Sequence, residues 1–140
     1  MDKTQVLYVS DLDGTLLGPD ALLSDYAKNV LQTMLAQGLN FSVATARVAA
    51  SFTRIFSGLK LNLPVILLNG ALIYEPQSEQ YLKVNYLEQQ AMQTVITRLR
   101  KLGLTGFMYV LDGNDLTTYH EAMASKPNQE FLDVRKKYYK

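Results

Sequence analysis

The chain has 140 residues, 48% of them hydrophobic and 19% charged, which is a globular composition long enough for one ordinary domain. Its 14 basic and 13 acidic residues nearly cancel, so no overall field favours nucleic acid or an anionic membrane surface as a partner. The absence of cysteine excludes disulfides, thiolate metal sites and a cysteine nucleophile.

The N-terminal segment does not resemble a targeting signal. Asp2 and Lys3 lead directly into a strand-like run, without the apolar segment and cleavage site of a secretory signal. No stretch approaches the roughly 20 apolar residues that cross a bilayer. We therefore expect a soluble cytoplasmic protein without a membrane partner. The basic, tyrosine-containing tail is interpreted as a solvated chain end and not as a nucleic-acid site; it comprises Arg135, Lys136, Lys137, Tyr138, Tyr139 and Lys140.

Strands and helices are predicted to alternate in the first half of the chain. Residues 6–10 form a short, almost continuously apolar run, which suits a strand buried on both faces of a parallel sheet. Ser24 is placed to cap a first helix and Gly38 to end it. A second strand is predicted at 41–44, a second helix at about 48–59 and a third strand at 65–68. This order predicts an α/β fold with a Rossmann-like parallel sheet.

The pattern changes after Gly70. Residues 71–74 and 80–84 predict a hairpin, and a new unit begins near Tyr86 with a helix at 88–102. A strand at 106–111, a turn at 112–115 and a helical segment from Pro127 onward follow. We therefore divide the chain into domains at 1–84 and 85–140. His120, Asp112 and Asp115 are interpreted as surface or structural residues.

Three polar residues follow the three apolar strands: Asp11, Thr45 and Asn69. Ligands of open α/β sheets bind beyond the carboxyl ends of the strands. The carboxylates of Asp11 and Asp13 can point toward one site there. An ionised aspartate can attack phosphorus, while a neighbour with a raised pKa protonates the leaving oxygen and then activates water. Because nucleophile and substrate are both anionic, a divalent cation is expected, and Mg²⁺ fits best.

Other interpretations of these aspartates fail on spacing or stay open. An EF-hand loop from Asp11 would need glycine and glutamate where the chain has Leu16 and Leu22. No P-loop and no G-x-G-x-x-G sequence is present. The remaining alternative is that Asp13 and Gly14 form only a turn after a strand.

Three segments resemble motifs of the haloacid dehalogenase (HAD) superfamily. D-L-D-G-T-L-L at 11–17 resembles its first motif, D-x-D-G-T-L, while A-T-A-R at 44–47 and N-G-A at 69–71 resemble the A-T-G-R and N-G-A segments of its Cof-like subfamily. The resemblance implies a Mg²⁺-dependent phosphatase for small, sugar-phosphate-like metabolites. Its implied site is a nucleophile and a general acid/base that also hold the metal, Asp11 and Asp13, with phosphate- or substrate-binding Thr45, Arg47 and Asn69.

Some of these roles have structural alternatives. Thr45 could cap the second helix, Arg47 could be an exposed arginine at its start, and Asn69 could simply form a turn with Gly70. Ala46 departs from the glycine of the subfamily, which matters only if that position needs a positive φ.

The resemblance covers a core up to about residue 82 and then the start of a C2-type cap domain. Cof-like phosphatases are about twice as long, and their third-motif lysine and fourth-motif acidic residues have no counterpart here. We therefore expect little turnover by this chain alone, and association into a homo-oligomer or with a missing C-terminal half. The alternative is a non-catalytic, degenerate α/β module that keeps the fold and binds phosphate or metal.

Overall fold

The computed structural model describes residues 6–122, 126, 129–130 and 132–133. The basic tail from Arg135 to Lys140 lies outside the described residues, as do Pro127 and Phe131 of the predicted last helix. The described residues of that segment, 129–130 and 132–133, are helical. The chain forms two compact units, residues 1–85 and 86–140.

The first unit contains five strands in two small sheets, β1-β2 and β3-β4-β5: Leu7–Ser10, Asn40–Val43, Val65–Leu67, Leu72–Glu75 and Gln80–Val84. Strands β1 and β2 run parallel, and a parallel bridge from Ala44 to Ile66 joins β2 to β3. Strands β4 and β5 are antiparallel additions, as the predicted hairpin requires. The expected parallel α/β core is confirmed.

Helix α1 spans Asp25–Ala36 and follows its sequence signals closely. The Ser24 hydroxyl accepts a hydrogen bond from the Ala27 amide at 3.1 Å, which satisfies one of the free donors at the helix start. Gly38 has a φ of +83°, the left-handed conformation with which helices commonly end.

Helix α2 spans Ala49–Ile55 and is shorter than the predicted 48–59. The chain turns after Phe56 and reaches Gly58, whose φ of +84° belongs to the left-handed region. The apolar face was placed correctly, because Phe52 and Phe56 are buried and their rings stack 4.7 Å apart.

The predicted burial of β1 is wrong. Leu7, Tyr8 and Val9 are 55%, 54% and 48% exposed, whereas Phe41, Ser42 and Val43 in β2 are 6%, 4% and 0% exposed. Among the strands that the structure describes, β1 pairs with β2 alone. The strand therefore has the apolar sequence typical of a central strand, although it lies at the edge of its sheet.

The second unit contains helix α3, Gln89–Lys101, and a hairpin of β6, Phe107–Asp112, with β7, Asp115–His120. Strand β7 was not predicted beyond its opening turn. None of the residues in these three elements is buried. No helix within the described ranges is both long and apolar enough to cross a membrane.

Candidate active site

A tight loop after β1 presents two carboxylates. The Leu17 amide donates to the Leu12 carbonyl oxygen at 2.9 Å, and the Leu12 side chain is fully buried, which fixes the loop to the core. Gly14 supplies a φ of +76° that a side chain would disfavour. Asp11 and Asp13, on either side of Leu12, are left exposed. The Thr15 hydroxyl donates to Asp11 Oδ2 at 3.2 Å and holds that carboxylate.

Backbone hydrogen bonds join the ends of β2 and β3 beside this loop. The Thr45 amide donates to the Ile66 carbonyl at 3.0 Å, and the Asn69 amide donates to the Thr45 carbonyl at 3.0 Å. Asn69 adopts a φ of +55°, which asparagine tolerates better than most residues. Thr45 Oγ1 accepts from the Arg47 amide at 3.2 Å and so bonds within its own loop. It does not cap α2, whose preceding residue is Val48.

These segments surround one cavity of about 490 Å³, lined by Asp11, Asp13, Ala44, Thr45, Ala46, Ile66, Asn69 and Gly70. Four of the five predicted site residues line it directly. The expected meeting of these side chains at one edge of the sheet is therefore observed, while the role of each stays a prediction.

Arg47, the fifth predicted site residue, reaches the cavity through Asp13. Its Nε donates to Asp13 Oδ2 at 2.8 Å and its Nη2 to Oδ1 at 2.5 Å, a two-bond geometry that guanidinium and carboxylate favour. Its Nη1 donates to Ser51 Oγ at 2.9 Å, and Ser51 is buried. The Arg47 side chain is only 19% exposed, so it is not a free surface arginine.

This pair corrects an expectation about Asp13. The hydrogen bonds and positive charge of Arg47 hold the pKa of Asp13 below its ordinary 3.8, although partial burial acts in the opposite direction. The raised pKa expected of a general acid is therefore wrong for this arrangement. Ser51, which helps to hold the arginine, was missed by sequence reasoning. Its spacing of four residues from Arg47 across a helix start was the available signal.

Comparison with known proteins supports one family. Residues 8–140 match the haloacid dehalogenase-like hydrolase family. The chain belongs to this family. It is 28% identical over 81 residues to 5-amino-6-(5-phospho-D-ribitylamino)uracil phosphatase YitU of Bacillus subtilis, covering 58% of this chain and 30% of YitU. It is 28% identical over 102 residues to pyridoxal phosphate phosphatase YbhA of Escherichia coli, covering 73% of this chain and 38% of YbhA.

A solved structure of a HAD-like hydrolase from B. subtilis has the same fold. It superposes with a TM-score of 0.67 at 24% identity, covering 93% of this chain but 43% of that one. Across the curated relatives, matched segments amount to between 24% and 42% of the relatives' lengths. The chain thus spans less than half of the proteins it resembles.

Ala46 replaces the glycine of the second HAD motif without backbone strain. Positive φ at non-glycine positions is confined, within the described residues, to Ala21, Leu68, Asn69 and Glu79. Ala46 is not one of them, so its side chain costs no backbone strain and the departure from glycine is harmless here.

The donor set of the HAD-like site fits a weakly held Mg²⁺. No group of three or more metal-ligating side chains occurs among the residues that the structure describes. Magnesium is commonly held by one or two carboxylates together with waters and substrate phosphate. Asp11 is exposed and meets this requirement. Both carboxylate oxygens of Asp13 accept from Arg47, so Asp13 can join as a ligand only if that pair loosens.

A larger cavity, of about 610 Å³, lies between α2 and the β4 strand and contains none of the predicted site residues. Burial raises the pKa of Tyr74 in its wall, and Glu79 is the single acidic side chain that lines it among the residues the structure describes. Although it is larger, this cavity is a weaker candidate for the active site than the cavity that Asp11 and Asp13 line. In the second unit His120 packs its ring against Phe107 and stays a structural residue.

Proposed function

We propose that this chain carries the phosphoryl-transfer side of a HAD-like phosphatase, with Asp11 as the nucleophile. The observation that carries the proposal is the shared cavity beyond the ends of β1, β2 and β3, which Asp11, Thr45 and Asn69 line together. A nucleophile and hydrogen-bond donors around one space of this kind suit a tetrahedral phosphoryl group.

The proposed reaction uses the two aspartates in turn. An Asp11 carboxylate oxygen attacks phosphorus, the ester bond breaks, and an aspartyl-phosphate forms. Asp13 in its protonated form donates a proton to the leaving oxygen, then accepts one from the water that hydrolyses the intermediate. Thr15 keeps Asp11 oriented, and Thr45 with Asn69 hydrogen-bonds the phosphoryl oxygens.

The contact between Arg47 and Asp13 sets a condition on this chemistry. An aspartate held by two bonds to a guanidinium stays ionised at neutral pH, so it cannot donate a proton in that state. We propose that Arg47 turns from Asp13 toward the phosphoryl oxygens when substrate binds, which would free Asp13 and add a cation to the site.

Mg²⁺, bound by Asp11 and by the unprotonated oxygen of a released Asp13, would lower the repulsion between the anionic nucleophile and the phosphate. The chain offers few ligands for it. We expect weak binding in calorimetric titration, lost in Asp11→Asn with Asp13→Asn. Tight binding that survives both substitutions would contradict this ligand assignment.

Small phosphate monoesters are the proposed substrate class. The relatives YitU and YbhA are named for a phosphoribityl compound and for pyridoxal phosphate, both small phosphorylated metabolites. A cavity of about 490 Å³ is of a suitable size for such a molecule.

The second candidate function is a degenerate module that binds phosphate or metal without turnover. Two observations on the described residues favour it: no lysine among them lines the site cavity, and no three of their metal-ligating side chains form a cluster. Removing one electrostatic group of this kind costs about 10² to 10³ in rate.

Two measurements separate these functions. The first is hydrolysis of p-nitrophenyl phosphate with Mg²⁺ by the chain, by Asp11→Asn and by the control Asp25→Asn at the start of α1. The phosphatase proposal expects slow turnover that Asp11→Asn abolishes and Asp25→Asn leaves unchanged. The second is ¹⁹F NMR with beryllofluoride, which forms a phosphoryl-like adduct on a nucleophilic aspartate. Turnover or an adduct that persists in Asp11→Asn would refute Asp11 as nucleophile.

A further inference from the structure

Three consecutive residues at the wall of the site cavity have a left-handed backbone. Leu68, Asn69 and Gly70 adopt φ values of +47°, +55° and +93°. Glycine takes this conformation freely and asparagine tolerates it, but leucine is rarely left-handed because its Cβ then lies too close to the following carbonyl oxygen. A strained conformation of this kind persists only where surrounding contacts hold it.

Backbone hydrogen bonds tie the start of this left-handed turn, residues 68–70, to the segment that follows β2. The Leu68 amide donates to the Arg47 carbonyl oxygen at 3.1 Å, and the Asn69 amide donates to the Thr45 carbonyl oxygen at 3.0 Å. These two bonds fix the first two residues of the turn. The third residue, at which the chain leaves the turn, is held by a contact from elsewhere in the first unit.

That contact comes from Asn85, 15 residues beyond Gly70. Asn85 Nδ2 donates to the Gly70 carbonyl oxygen at 3.0 Å, and the Asn85 backbone amide donates to the Ala71 carbonyl oxygen at 2.8 Å. Any residue except proline could supply the backbone bond. The bond to Gly70 needs a side-chain donor, so the asparagine side chain contributes something at this turn that the strand pairing of β5 does not.

The position of Asn69 depends on the backbone of this turn. Asn69 is exposed and lines the site cavity, and a change of its φ out of the left-handed region would point its side chain in another direction. We propose that Asn85 is a positioning residue of the site: its bond to the Gly70 carbonyl oxygen keeps the turn left-handed and Asn69 at the cavity wall. This positioning stands on the hydrogen bonds, whereas its consequence for phosphate binding rests on the proposed function.

The test compares two variants of the full 140-residue chain, each of which loses one side-chain amide bond. Asn85→Leu keeps roughly the size of the side chain and removes the donor to Gly70. Gln77→Met is the matched control, because Gln77 Nε2 donates to the Leu61 carbonyl oxygen at 3.1 Å and neither of these residues lines the site cavity. Asn85 and Gln77 are both exposed, so we expect both variants to fold, as circular dichroism will verify.

NMR of the Asn69 backbone measures the turn directly. In Asn85→Leu we expect the Asn69 chemical shifts to lose their left-handed signature. Exchange of the Asn69 amide hydrogen should rise at least tenfold, because its bond to Thr45 opens more often. Gln77→Met should change neither quantity. Unchanged shifts and exchange in Asn85→Leu, or equal changes in Gln77→Met, would overturn the proposal.

Phosphate binding distinguishes a positioning residue from a purely structural one. The probe is inorganic phosphate with Mg²⁺, titrated into each variant and followed by the NMR signals of the cavity residues. We expect Asn85→Leu to weaken binding about as much as Asn69→Ala does, at least fivefold, and Gln77→Met to leave it unchanged. Weakening in Asn69→Ala but not in Asn85→Leu would overturn the positioning role. If the unmodified chain binds no phosphate, the proposed function is contradicted, while the Asn69 shifts and exchange still decide whether Asn85 holds the turn.

Discussion

The two units of the chain differ in how much of their apolar surface they bury. With the exception of Leu132, every buried apolar residue among those described belongs to the first unit. In the second unit, α3 and the hairpin contain no buried residue, and Val95 and Leu102 are 49% and 71% exposed. Stability of each unit should follow this difference, because buried apolar area is the main favourable contribution to folding.

The site lies in the unit that has the core. Leu12 between the two aspartates, and Val43 just before Ala44 and Thr45, are both fully buried. Side chains that act together must be held within a fraction of an ångström, and packing of their neighbours achieves this. In the second unit, α3 and the hairpin of β6 and β7 contain no buried residue that could hold polar side chains in this way.

The largest expected effect is that of Phe52→Ala in α2. The Phe52 ring is 2% exposed and stacks on Phe56, so its removal leaves a cavity in the first unit. We expect a loss of about 3–5 kcal/mol in the free energy of unfolding, measured by urea denaturation with circular dichroism. Hydrogen exchange should quicken in β2 more than in β6. Equal acceleration in both would show that the two units unfold as one.

Val43→Ala in β2 should have the next largest effect. The side chain is fully buried, and two methyl groups are lost without compensation. A loss of about 1.5–3 kcal/mol is expected from burial of this size. The measurement is the same urea titration. A loss below about 0.5 kcal/mol would place this strand outside the stabilising core.

Arg47→Met removes the ion pair with Asp13 in the first unit, which can be compared with an ion pair of the second unit. Asp13 has a lowered pKa when folded, so the pair contributes stability above the unfolded value of 3.8 and loses it as pH falls through the lower folded value. Because Asp13 is 55% exposed, the contribution is at most about 1 kcal/mol at pH 7. The difference in unfolding free energy between the chain and Arg47→Met should shrink between about pH 5 and pH 2.

Arg100→Met is the matched control in the second unit. Arg100 pairs with Glu121, and both side chains are more than half exposed, so screening by water leaves little to lose. Its effect should be smaller than that of Arg47→Met at neutral pH. A larger effect would mean that the hairpin and α3 depend on this pair more than the site depends on Arg47.

Local signals predicted most of the fold. The cap at Ser24, the stop at Gly38 and the apolar face of α2 act within a few residues, and all were found. The burial of β1 could not be obtained this way. The apolar sequence of β1 favours burial, but the exposure of its side chains depends on which strands lie beside it.

Most of the residues that line the cavity could be predicted from the sequence, but the direction of the Asp13 pKa shift could not. The ends of apolar strands identified Asp11, Thr45 and Asn69, because parallel strands bring their carboxyl ends to one edge. The lowered pKa of Asp13 depends on Arg47, 34 residues away, and on Ser51, which holds the guanidinium. Contacts between distant side chains leave no periodic trace in a sequence.

The smallest expected effect is that of Val95→Ala in α3, the same chemical change as Val43→Ala. Val95 is 49% exposed, so little apolar area is lost, and alanine favours a helix by a few tenths of a kcal/mol over valine. The two contributions oppose each other, and a change within about 0.5 kcal/mol of zero is expected in the urea titration. A loss above about 1.5 kcal/mol would show that Val95 packs in solution against a surface that buries it. That outcome would remove the contrast between the units, whereas a small gain in stability would show that helix propensity governs the stability of α3.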